Sequence, residues 1–88
     1  MLDEDTNTFY IDNKIIQLTF NETIFLSLLI MNKNKVVDYK DILKEVYSEE
    51  LIENKMIHKI HPLIHRLNRK IGKYVKIKKI RNKGVMLE

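Results

Sequence analysis

The sequence predicts an α+β domain in which three short helices are framed by β-structure, two strands before them and a hairpin after. Three observations lead there. Apolar residues recur at helical spacing in three stretches, near residues 24–31, 42–47 and 57–71. Short β-branched or alternating runs flank them, near 9–18 and 75–87. The 88 residues are 44% hydrophobic and 32% charged, with two glycines and one proline, which suits one small domain around a modest core rather than a disordered or loop-rich chain. We therefore expect a single domain over residues 1–88, ordered from about residue 8 to 87.

Taken in order, Phe9-Tyr10-Ile11 and Lys14 to Leu18 read as two strands joined at Asp12-Asn13, residues that tolerate the backbone angles of a tight turn. Thr19 with Glu22 three residues later is the reciprocal capping box that opens a helix. Ile24, Phe25, Leu28, Leu29 and Met31 give that helix an apolar face, and it should end near Asn32, with Lys33 and Lys35 at its negative terminus. Val36-Val37 is a strand fragment. Asp38 caps a second helix, which has Asp41 in its first turn and Ile42, Leu43, Val46 and Tyr47 on its buried side. Ser48 to Glu53 is an acidic loop. In the third helix Ile57, Ile60, Ile64, Leu67 and Ile71 fall on one stripe, and Gly72 stands where a terminator belongs. Pro62 constrains its start: deep in a helix proline costs about 3 kcal/mol, whereas in the first turn it is tolerated. The helix should thus begin close to His58 or Lys59, with Asn54 to Ile57 irregular. Val75, Ile77 and Ile80, a turn at Asn82-Lys83-Gly84, and Val85-Met86-Leu87 complete a basic hairpin. A helical trio followed by a hairpin is the winged helix-turn-helix arrangement, in which the third helix enters the major groove of DNA.

Charge supports that reading. Between Met1 and Glu53 five Lys/Arg face eleven Asp/Glu, a net of −6; between Asn54 and Glu88 eleven face one, a net of +10. Such a segregated cationic half repels itself and calls for a polyanionic partner. A solvated basic tail is the alternative, but these cations are interleaved with a regular apolar pattern. The chain has no cysteine, which excludes disulfides and thiolate metal sites and fits a reducing, cytoplasmic compartment. The longest apolar run is too short to span a bilayer, and Asp3, Glu4 and Asp5 stand where a signal peptide would be basic.

In detail the residues resemble the OmpR/PhoB-type winged-helix DNA-binding family from Phe9 to Leu87. The matching pieces are Leu18-Thr19-x-x-Glu22, Val36-Val37, Leu43-x-x-Val46-Tyr47, Ile64-x-Arg66-Leu67-x-Arg69-Lys70-Ile71 and Ile77-x-x-Ile80-Arg81-x-x-Gly84. Three positions depart from the family pattern. Asn68 replaces an arginine, Asn82 replaces the wing's first glycine, and Val85 replaces an aromatic, which removes a core anchor. With no receiver domain, and a chain that stops as the wing closes, the sequence is most similar to the cytoplasmic domain of ToxR-like, membrane-anchored regulators. The resemblance implies sequence-specific binding of double-stranded DNA by a transcription regulator. It further implies contact with RNA polymerase through the loop bearing Glu49, Glu50, Leu51 and Ile52, head-to-tail homodimers on DNA, and a membrane anchor outside this chain.

The residues expected at the major groove are His58, Lys59, His61, Pro62, His65, Arg66 and Arg69. Arginine contacts guanine bidentately or clamps phosphate, and proline offers an apolar surface to a thymine methyl. In the wing, Lys78, Lys79, Arg81 and Lys83 are expected on DNA, with Arg81 suited to a narrow minor groove and the lysines to phosphate. For each the alternative is a solvated face. His61 and His65 have the i, i+4 spacing that can chelate zinc, but no cysteine or carboxylate stands near them in sequence, and we expect no metal and no cofactor. Protonated histidines beside phosphate would instead make DNA binding stronger in mild acid. Few aromatics are available to stack RNA bases. Without a glycine-rich phosphate loop or paired catalytic carboxylates, with histidines on a convex helix, an enzyme is not expected. The competing reading is a winged-helix interaction module whose basic face binds an acidic protein.

Overall fold

The capping chemistry read from the sequence sets the starts of the first two helices in the computed structural model, which describes residues 1–48 and 58–88. Helix α1 spans Phe20–Met31 behind a complete capping box. The Thr19 hydroxyl accepts from the Glu22 N–H at 3.2 Å, and the Glu22 carboxylate accepts from the Thr19 N–H at 2.8 Å. Asp38 accepts from the Lys40 N–H at 2.8 Å and opens α2, Tyr39–Tyr47, which closes on Ser48 in the left-handed region. Helix α3, Ile60–Ile71, follows a 3₁₀ turn at His58 and Lys59. Pro62 is thus the third helical residue, where its missing N–H has no intrahelical partner to lose. Residues 49–57 fall outside the described part, and with them the acidic loop, Ile57 and the segment expected to be irregular.

Two three-stranded antiparallel sheets flank the helices. The first contains β1 (Leu2–Asp3), β2 (Thr8–Ile11) and β3 (Lys14–Gln17), in the order β1-β2-β3. Asp12 and Asn13, with φ of 47° and 63°, make the expected tight turn. Strand β1 extends order ahead of the expected start at residue 8. It pairs Leu2 with Phe9, and the ladder runs on to Met1, whose ammonium and carbonyl both bond the Tyr10 backbone. A two-residue strand carries no alternation by which a sequence could reveal it.

The second sheet joins β4 (Val36–Asp38), β5 (Ile77–Ile80) and β6 (Gly84–Leu87) in the order β4-β6-β5. The wing is therefore pinned to the helical trio by the fragment between α1 and α2, with Val37 opposite Val85 and Asp38 opposite Gly84. A Cβ on Gly84 would lie 1.9 Å from the Val37 carbonyl oxygen. Gly84 is needed for this close approach and not for the turn, whose positive φ of 61° belongs to Asn82. Val85 is wholly buried, so the position keeps a core anchor despite the missing aromatic. Gly72 does stand at the end of α3, though in a right-handed conformation.

One core joins all three helices to both sheets: Phe9, Phe25, Leu26, Leu29, Ile42, Leu43, Val85 and Leu87 form a single cluster with the inner side of α3. That side is Ile60, Leu63, Ile64, Leu67 and Ile71, the expected stripe widened by Leu63. On α1 the expectation is corrected. Met31 is 80% exposed, and Leu26 is buried in its place alongside Phe25 and Leu29. Apolar residues nearly encircle α1, so a helical period alone fits more than one face. No helix among the described residues is long and apolar enough to cross a membrane.

Candidate nucleic-acid interface

Burying one stripe of α3 dictates what its other side presents. At about 100° per residue, Pro62, His65 and Arg69 point away from the core. His61 is turned toward α2, and Arg66 and Lys70 toward α1. All six are exposed, as are His58 and Lys59 in the preceding turn. The expected recognition residues therefore share one convex surface.

The two flanks of that surface are anchored differently. On the α2 side the His61 ring meets Tyr39 edge-on at 6.4 Å, with His58 a further 6.4 Å from His61. The Tyr47 hydroxyl donates to the Lys59 carbonyl at 3.3 Å, and the Lys59 ammonium lies 5.4 Å from the Tyr47 ring centre. These contacts fasten the start of α3 to both ends of α2. On the α1 side the partner is a carboxylate. Glu22 is fully buried, its Oε1 accepts from Lys70 Nζ at 2.7 Å, and its Oε2 lies 4.0 Å from Arg66 Nε. Burial alone would push the Glu22 carboxyl up. The hydrogen bonds from Lys70 and Thr19 and the charge of Lys70 outweigh that and hold it below its ordinary value. Thr19, Glu22, Arg66, Arg69 and Lys70 line a groove of about 370 Å³ between the two helices.

The wing is basic as well. Lys78 and Lys79 are exposed on β5, and Arg81 and Lys83 flank Asn82 at the tip. Lys78 pairs with Glu88 at 2.6 Å and Lys76 approaches the same carboxylate at 3.8 Å, which lowers the Glu88 pKa. Among the described residues, Arg69, Lys79, Arg81 and Lys83 form no ion pair. Glu49, Glu50, Leu51 and Ile52, the expected partner loop, lie outside the described residues. Sequence reasoning missed Lys70 and the second role of Glu22. The capping box announced Glu22 as a local cap, but its reach to α3 depends on how two helices pack, which no spacing within one helix reveals.

The sequence model of the family described as "Transcriptional regulatory protein, C terminal" matches residues 12–87. The chain belongs to this family. It is a family of regulatory proteins and not of enzymes, and its members' C-terminal module is what the three helices and wing reproduce. Among solved structures, the DNA-binding domain of Bacillus subtilis CssR is 28% identical, covers 100% of this chain and 98% of its own, and superposes with a TM-score of 0.85. The DNA-binding domain of E. coli CpxR, 24% identical, superposes at 0.83 over 98% of this chain and 86% of its own. The Klebsiella pneumoniae RstA DNA-binding domain, solved with the RstA box, is 20% identical and superposes at 0.82, covering 98% and 87%. At these lower identities the last two speak for the fold alone. A comparison with curated protein sequences finds no match.

Proposed function

We infer that this domain binds double-stranded DNA sequence-specifically as the DNA-binding unit of a transcription regulator. Helix α3 lies in the major groove, and the β5–β6 wing sits on backbone or minor groove. The observation that carries this reading is the exposure of the whole set: His58 before α3, His61, Pro62, His65, Arg66 and Arg69 on it, and Lys78, Lys79, Arg81 and Lys83 on the wing. Family membership supports it, and so does the CssR domain, which is itself described as DNA-binding. His65, Arg66 and Arg69, with Pro62 for a thymine methyl, are assigned to base edges and phosphate, and Arg81 to the minor groove.

The test is selection of duplexes from a random pool, followed by titration of Arg66→Ala and Arg81→Ala on the selected sequence. Each is expected to weaken binding by about 1–3 kcal/mol, roughly 5- to 150-fold. Affinity unchanged in both would assign the basic face to an acidic protein instead.

Three finer readings belong to the same proposal. Contact with RNA polymerase through residues 49–52 and head-to-tail pairing on direct repeats rest on the family resemblance. Pairing is further supported by the −6/+10 division of charge along the chain, which suits a head-to-tail contact. Membership of the ToxR-like branch predicts an apolar span of about 20 residues following Leu87 in the intact gene product. Sequencing through the gene decides it.

A further inference from the structure

Every cation on the outer surface of α3 looks equivalent in the sequence, and their surroundings make them unequal. Arg69 projects away from the core with no ionic partner among the described residues. Lys70, its neighbour, is bound at 2.7 Å to a carboxylate that is fully buried. That carboxylate does not swing away. Its Oε1 also accepts from the Thr19 N–H at 2.8 Å, and the Thr19 hydroxyl in turn holds the Glu22 backbone, so the group is fixed by the start of α1. Its other oxygen, Oε2, is buried without a hydrogen-bond donor. Arg66 Nε stands 4.0 Å from it, just beyond hydrogen-bond reach, while the Arg66 side chain remains 52% exposed.

We propose that Glu22 is a positioning residue for DNA binding: it withdraws Lys70 from the phosphate backbone and draws in the base of the Arg66 guanidinium, leaving the outer edge of Arg66 and all of Arg69 for DNA. The inference rests on the DNA-binding reading above. Its physical ground is the difference between an exposed and a buried pair. An exposed lysine–carboxylate pair exchanges its partner for phosphate at little cost. Breaking the Lys70 pair would strand a buried anion, a penalty several times larger. Lys70 is therefore silent in the counterion release that accompanies binding, although it is an exposed cation of the same helix. The unpartnered Oε2 explains why Arg66 leans toward α1: an acceptor closed off from water attracts the nearest donor.

Glu22→Gln keeps the size of the side chain and an oxygen for the Thr19 N–H while removing the charge. The experiment measures affinity for a short mixed-sequence duplex as a function of salt, with no knowledge of the operator required. Lys70 set free in Glu22→Gln should steepen the log–log salt slope by about one. Lys70→Met in the wild-type background should leave the slope unchanged, and in the Glu22→Gln background it should remove the gained unit. Lys79→Met, on the exposed wing, should lower the slope by about one in either background. A merely structural Glu22 would change melting temperature and leave every slope alone, and that result overturns the inference. So does a Lys70→Met slope that falls in the wild type. Should Lys70→Met not fold, the comparison of wild type with Glu22→Gln decides the matter by itself. Absence of any duplex binding by the folded wild type would refute the DNA-binding reading instead, so the two failures are distinct.

Discussion

Replacing Gly84 by alanine tests the link between the wing and the helical trio more sharply than any change at the wing's tip. The added Cβ would meet the Val37 carbonyl oxygen at 1.9 Å, its carbon at 2.7 Å and the Asp38 Cα at 3.0 Å. All three are backbone atoms of β4, so no side chain can swing aside. Ordinary van der Waals contact needs roughly 3.5 Å, so β4 and β6 must separate locally by more than an ångström. That disrupts the Asp38–Gly84 and Val37–Val85 register and disturbs the packing of Val85, which is wholly buried. Overpacking of this kind costs about 1–3 kcal/mol, and loss of ladder bonds adds to it. For a domain of this size about 2 kcal/mol corresponds to a fall in melting temperature of roughly 8–16 °C. Urea denaturation followed by circular dichroism measures the difference directly. Asn82→Gly is the matched control, because the left-handed φ of 61° is at Asn82. Relieving that conformation should leave stability within about 0.5 kcal/mol. Were Gly84 needed merely as a turn residue, the order would invert. A Gly84→Ala variant as stable as the wild type would refute the argument that the wing is pinned by close approach to β4.

A further prediction concerns pH. The Glu22 carboxyl is held below its ordinary value of 4.5, so its ionised form stabilises the fold fully above that value and loses the contribution as pH falls through the lower folded pKa. Urea midpoints of wild type and Glu22→Gln should therefore converge in acid, and parallel profiles would count against the assignment.

Much of the fold was legible because its signals are local. The capping box at Thr19 and Glu22, the cap at Asp38, the Asp12-Asn13 turn and the place of Pro62 each depend on residues within one turn of chain. The candidate surface was legible for the same reason: a clean apolar stripe on α3 leaves the opposite side determined. What escaped depends on packing between elements. The inward side of α1 is chosen by its neighbours among several apolar options, which is why Met31 and Leu26 exchange roles. Gly84 reads as a turn glycine until β4 is seen to lie against it. The Glu22–Lys70 pair joins positions 48 residues apart, beyond any spacing rule.

The same distinction fixes how strongly binding should respond to salt. The carboxyl-terminal region carries a net +10, yet few of those charges are placed to neutralise phosphate. Lys70 is held by a buried carboxylate, and the Lys59 ammonium lies near the Tyr47 ring at the end of α2. Lys78 is also paired, but with the exposed Glu88, a solvent-screened association that phosphate displaces readily. Of the other cations, Arg66, Arg69, Lys78, Lys79, Arg81 and Lys83 are the six assigned to the DNA-facing surface. About six neutralised phosphates imply a log–log slope of roughly −5, against roughly −9 if every net charge took part. The two values differ enough for a single titration series to separate them. A slope near the larger figure would mean that cations outside this surface take part, since Lys70 freed from Glu22 would add only about one unit. A slope near the smaller one would mean that the surface meets DNA as it stands, with Glu22 and Lys70 still joined.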